Sequence, residues 1–305
     1  MKGKLWGMVC ALAGGALWGF SGTVGQYLFL EKQMSSQWLT VVRMLAAGAI
    51  LLLVVAVQEP DALKAVWKQP RDAGRLVLFA VFGLMACQYT YMTAISYSNS
   101  ATATALQYLG QALILLVTCI RMRRRPDGRE SLALLLALAG VFLLSTHGKL
   151  GTLVLSREAL LWGMGAAFSC MLYTLLPGQL LSRYGSMAIT GYGMLIGGAV
   201  LAAITKVWRS EVRLDGGAIL GIAVIAVFGT AAAFALYLQG VQQLGGVQAS
   251  LFACTEPVSA AIVAALWLGT NICWIDWLAI GLILAMAILI SLPGRKKGNA
   301  MQAEK

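Results

Sequence analysis

Ten apolar stretches, most about twenty residues long and parted by short polar turns, constrain this chain more than any single residue does. A helix rises about 1.5 Å per residue and a bilayer's hydrocarbon core is about 30 Å thick, so stretches of that length can cross it. Water would be the wrong solvent for them. Charged residues make up 11% of the 305-residue chain, against roughly 25% in a soluble domain. The fold class that follows is an all-α integral membrane protein with ten transmembrane helices.

In order, the predicted spans are Leu5 to Leu28, Gln37 to Val57, Leu76 to Tyr97, Ala101 to Ile120, Leu132 to Thr146, Ala159 to Leu181, Ser186 to Val207, Ala218 to Gly240, Val247 to Leu268 and Trp274 to Leu292. The first is too long for a signal-peptide core and lacks a clear small-residue cleavage site, so it is expected to stay as an anchor. Turns as short as Ser98-Asn99-Ser100 make successive helices antiparallel neighbours. With the N-terminus in the cytosol, the inner side would hold Lys2, Lys4, the basic residues from Lys64 to Arg75, the cluster from Arg121 to Arg129, Arg183 and the basic tail. Only Lys32, Lys149, Arg157, Lys206, Arg209 and Arg213 would lie outside. The bias places both termini in the cytosol and the chain, multi-pass, in the plasma (cytoplasmic) membrane. It also accounts for the net charge of +11 without nucleic acid, since the arginine cluster suits an anionic inner leaflet.

The two halves echo one another. Tyr91-Met92-Thr93-Ala94 and Tyr237-Leu238-Gln239-Gly240 are 146 residues apart, and the same offset sets Thr104-Ala105-Leu106 on Ser250-Leu251-Phe252. Residues 1–150 and 151–293 then read as two five-helix repeats, with 294–305 a polar cytosolic tail. An odd number of crossings inserts the second repeat upside down, as in many secondary transporters.

Polar residues inside the spans must find partners, so they turn inward, to a wet cavity or to interhelical hydrogen bonds. Helix four carries Ser100, Thr104, Gln107 and Gln111 on one face; Gln88 and Tyr91 share a face of helix three, and Tyr237 is their counterpart in helix eight. Trp18 and Ser21 of helix one and Ser169 and Tyr173 of helix six complete the candidate substrate cavity. Arg43 is a candidate gate residue, with snorkelling to the interface as the alternative. Glu256, the one acidic residue deep in a span, is a candidate coupling site or a structural bond beside Pro257, which lacks an N–H and frees the carbonyl of Ala253. Gly15 and Gly19, Gly193 and Gly197, and Gly217 and Gly221 are spaced for close helix approach.

Ala16-Leu17-Trp18-Gly19, Arg43, the run Ala94 to Leu109, Gly140-Val141-Phe142-Leu143-Leu144 and Thr255-Glu256-Pro257-Val258 together resemble the EamA family of the drug/metabolite transporter superfamily, over about residues 5 to 292. The resemblance implies ten helices, cytosolic termini, a central cavity, and movement of small metabolites or drugs, often outward. Two departures stand out against it. Gly110-Gln111 occupies the place where the first repeat of relatives commonly has Glu-Pro, and Thr270 stands where relatives often have Glu.

Enzyme chemistry finds no support in the pattern. The chain has one histidine, His147, read as interfacial, and no H-E-x-x-H or Walker motif. The six cysteines lack C-x-x-C spacing and read as small core residues, so neither a metal nor another cofactor is expected. The expected partners are a small-molecule substrate and membrane lipid, with a homodimer open. A secondary active transporter, an exporter with proton coupling as an addition, is the expectation; a channel or a receptor-like membrane protein is the alternative.

Overall fold

The computed structural model describes residues 2–98, 100–149, 151, 156–209, 212, 214–268 and 273–291. The described chain is helical: α1 (Lys2–Leu30), α2 (Ser36–Gln58), α3 (Pro70–Ile95), α4 (Ala103–Arg121), α5 (Gly128–Thr146), α6 (Arg157–Tyr184), α7 (Ser186–Thr205), α8 (Gly216–Leu244), α9 (Gly246–Trp267) and α10 (Trp274–Ser291). Among the described residues eight of these, α1 to α4 and α6 to α9, are long and apolar enough to cross a bilayer; α10 is apolar but shorter over its described side chains. The tail 294–305 and Thr270 lie outside the described residues.

Helix ends follow their local chemistry. Ser156 caps α6 by accepting from the Ala159 N–H, Asp215 caps α8 through the Ala218 N–H, and Asp127 with Glu130 forms a capping box on α5. The bundle's outer surface is apolar: Leu266 is 83% exposed, Leu53 66% and Leu135 64%. An apolar belt of that kind suits lipid rather than water.

Packing pairs the two halves by a simple exchange. α1 lies against α8 and α9, and correspondingly α6 lies against α3 and α4; α2 packs on α7, and α5 on α10. Swapping the first five helices for the last five leaves this pattern of neighbours unchanged. Small residues make the approaches close. A Cβ at Gly48 would meet the Gly191 carbonyl at 2.9 Å, one at Gly197 would meet the Ala80 carbonyl at 2.8 Å, and one at Gly19 would collide with the Glu256 carbonyl.

Four of the helices are irregular, and the irregularities correspond. α3 widens into a π-helical segment at Phe79–Met85 and α8 does so at Ile225–Ala232. α4 is interrupted at Leu109, and α9 at Ala253 and Cys254. The sequence pattern predicts unbroken spans for α3, α4 and α8, and a bend at Pro257 in α9. Such interruptions free backbone groups that are tolerated in a membrane only where protein or water takes them up.

Candidate functional site

The break in α9 has a local cause. Pro257 has no N–H to offer the Ala253 carbonyl four residues earlier, so that oxygen bonds instead to the Glu256 N–H at 2.9 Å and to the Tyr108 hydroxyl of α4 at 3.1 Å. The restarted helix Thr255–Leu268 carries Glu256 in its first turn. Thr255 and Ser259 tie the restarted helix to α1 by donating to the Leu12 and Ala16 carbonyls at 3.1 and 2.7 Å.

Tyr108 also lies 3.0 Å from Glu256 Oε2. A phenol has one proton and two neighbours here that can accept it. Against an ionised Glu256 the hydroxyl donates to the carboxylate; when it donates to Ala253 instead, a protonated Glu256 can donate to the phenol oxygen. The pair can therefore hold a proton in either of two arrangements without moving the backbone.

Glu256 lies on the wall of a cavity of about 720 Å³ between the two halves. Trp18, Ser21, Arg43, Gln88, Tyr91, Gln107, Gln111, Tyr173 and Tyr237 share that wall, so the structure brings together most of the residues singled out from the sequence. Two of the candidates do not line it. Thr104 lies 2.9 Å from the Tyr91 hydroxyl, behind the wall. Ser169 bonds back to the Gly165 carbonyl at 2.8 Å and touches Thr90 at 3.1 Å, as a helix-to-helix contact. The Ser100 side chain lies outside the described residues.

One side of the cavity is aromatic. Trp18 meets Phe234 edge-on at 4.8 Å between ring centres and Tyr237 at 5.1 Å, while Tyr173 stacks on Tyr237 at 5.5 Å. The polar groups around the wall are poorly satisfied. Among the described residues, the buried side-chain atoms without a hydrogen-bond partner are Trp18 Nε1, Arg43 Nε, Gln88 Oε1, Gln111 Oε1, Tyr173 OH and Thr118 Oγ1, and all but Thr118 belong to the cavity wall. Each unmet group costs about 1–3 kcal/mol unless a ligand or water takes it up. Arg43 does not snorkel to the interface: it is buried and lies on the cavity wall.

Among the described residues, the cavity's lining runs toward one end of the bundle. Its wall extends from Gln111 and Glu256 to Ser98 and His147, which lie past the last turns of α3 and α5. At the opposite end Asp72 of α3 accepts from Arg183 at 2.8 Å and Tyr184 at 2.9 Å, both of α6, and Arg75 reaches Gln179 at 2.8 Å. Gln242 adds a bond to the Leu181 carbonyl at 2.9 Å. These contacts tie α3, α6 and α8 together at that end.

Two features escaped the sequence reading. Tyr108 was overlooked beside Gln107, although a carbonyl freed by Pro257 called for a donor from a neighbouring span. The π-helical segments carry a repeat of their own, Ala80-Val81-Phe82-Gly83 and Ala226-Val227-Phe228-Gly229, at the offset of 146 already shown by the tyrosines. In α8 the glycine of that repeat lets Ser21 of α1 press against the backbone, and in α3 its counterpart faces the Tyr173 backbone of α6.

The pattern defining the EamA-like transporter family matches residues 5–146 and, a second time, residues 157–292. The chain is 38% identical over 294 residues to a Salmonella typhimurium protein named "Uncharacterized inner membrane transporter YicL", covering 96% of this chain and 98% of that one. It is 25% identical over 307 residues to the Bacillus subtilis "Uncharacterized transporter YwfM", covering 99% of each. A solved structure with 17% sequence identity superimposes with a TM-score of 0.79 over 93% of this chain and 96% of that one, a likeness of fold.

Proposed function

Since this chain belongs to the EamA-like transporter family and is a multi-pass integral membrane protein, we propose that it is a secondary carrier moving small organic solutes across the cytoplasmic membrane. In this reading ten helices cross the membrane, the five-helix repeats lie in opposite orientations, and both termini are cytosolic. The exchange of neighbours between the halves and the paired breaks in α4 and α9 support that arrangement. The observation that carries the reading is the convergence of otherwise unpartnered polar atoms on one cavity whose lining runs toward one end of the bundle.

The wall selects a class of solute. Arg43, Gln88 and Gln111 offer a guanidinium and two amides, and Trp18, Tyr173 and Tyr237 offer flat apolar faces, a combination suited to a small solute with an apolar or aromatic body and an anionic or carbonyl group. With the basic end cytosolic, the Asp72 cluster closes the inner side and the cavity faces outward, the state from which an exporter releases its load. Glu256 and Tyr108 supply the coupling: a proton taken from the outside on Glu256 is released inside once the other end opens.

Purified protein in liposomes, screened with labelled metabolites with and without a pH gradient, tests this directly. A carrier gives saturable uptake that the gradient drives above equilibrium. No uptake of any solute, together with steady single-channel currents, would replace the carrier with a channel.

A further inference from the structure

The end of α5 and the start of α10 bring together three side chains to which the proposed transport assigns no role. His147 Nδ1 lies 2.7 Å from Asp276 Oδ1, and the Cys273 thiol and backbone N–H donate to Asp276 Oδ2 at 3.1 and 2.9 Å. The imidazole nitrogen, the sulfur and a carboxylate oxygen all lie within 4.8 Å of one another. Asp276 is 2% exposed, whereas the His147 side chain is 59% exposed and contributes to the cavity wall.

Capping explains only part of this. Asp276 accepting from the Cys273 N–H is the usual reach-back at a helix start, but cysteine is not among the residues that favour the capping position, where Ser, Thr, Asp or Asn would serve. Nor does a cap require a histidine from another helix, here held at a φ of 50°. One nitrogen, one sulfur and one oxygen donor around a buried carboxylate are instead the ligand types of a borderline divalent ion.

The geometry points to a binding site for one Zn²⁺-like transition-metal ion at the rim of the cavity, with Cys273, His147 and Asp276 as ligands and a fourth position open to solvent. Tetrahedral ligands around zinc lie about 3.3–3.6 Å apart, so the side chains need move only about 1 Å from their hydrogen-bonded positions. On binding, the Cys273 thiol loses its proton to solvent and becomes the thiolate ligand. His147 coordinates through Nδ1 with its remaining proton on Nε2 and Asp276 through a carboxylate oxygen, so the ion takes the place of the two side-chain hydrogen bonds between the ligands. The ion ties the end of α5 to the start of α10. Sequence spacing hid the site, because His147 and Cys273 are 126 residues apart.

The site stands apart from the transport reading and is tested without it. Full-length protein in detergent, stripped with a chelator, is titrated with Co²⁺. The expected result is one bound equivalent with a thiolate-to-cobalt absorption band, bleached when Zn²⁺ is added. Cys273→Ser, which keeps the reach-back cap, should abolish the band, and His147→Gln, which removes a direct ligand, should weaken Co²⁺ binding by more than about 10-fold, the least that loss of an outer-shell partner costs. Zn²⁺ should raise the melting temperature of the wild type but not of Cys273→Ser, while the two melt alike without metal. A band that survives Cys273→Ser, or no thiolate band at stoichiometric Co²⁺, overturns the proposal.

Discussion

The two broken helices, α4 and α9, occupy the same place in the two halves and break for different reasons. In α9 a proline withholds an N–H, and a carboxylate follows the gap. In α4 there is neither: Gly110 follows the break, pressed so close to α6 that a Cβ there would meet the Ala167 carbonyl at 2.7 Å, and Gln111 stands where the proline would be. One half therefore keeps the charged group and the other supplies Tyr108, the hydroxyl that supports it. The site is asymmetric although the scaffold is doubled, and the coupling we propose rests on one carboxylate rather than two.

The sharpest way to break this comparison is to remove the charge. Glu256→Gln is expected to abolish gradient-driven accumulation in liposomes while solute exchange without a gradient persists; unchanged accumulation would leave α9 no more special than α4. Next in size is Arg43→Gln. Losing a charge-assisted hydrogen bond of about 1.5–3 kcal/mol should raise the half-saturating concentration of an anionic solute by about 10- to 150-fold.

Two substitutions weigh the supports of the two breaks. Tyr108→Phe removes the hydroxyl shared by Ala253 and Glu256 and should lower stability by about 1–3 kcal/mol, read from thermal unfolding in detergent. Gly110→Ala should cost about 1–3 kcal/mol by overpacking against α6, whereas Gly128→Ala, which has open space around it, should melt like the wild type. Smallest is Thr104→Val, which loses one bond to Tyr91 worth about 1 kcal/mol and should leave solute affinity unchanged, because Thr104 stands behind the wall.

Much of this architecture could be read from the residues, because in lipid a polar side chain inside an apolar span has few places to go. That constraint picked out Gln88, Gln107 and Gln111 as cavity candidates, and they share one wall with Arg43 and Glu256, which it had marked for other roles. It could not grade depth. Ser169 and Tyr173 lie one turn apart on α6, yet the short hydroxyl bonds back to its own helix and only the long aromatic reaches the cavity. Face counting also assumes an unbroken helix, and the interruption at Leu109 is a backbone event with no proline to announce it. Tyr108 went unseen because its partners, Ala253 and Glu256, come from a helix nearly 150 residues away. The cluster around Asp72 joins α3 to α6 in the same way, by pairing that no local pattern records.

Counterflow in liposomes, in which labelled solute outside exchanges against a filled interior without any gradient, tests most directly whether this cavity is the path. The account predicts saturable exchange by the wild type, retained in Glu256→Gln and strongly weakened in Arg43→Gln. Exchange that is equally fast in wild type and Arg43→Gln would place the solute's route somewhere other than between the two halves.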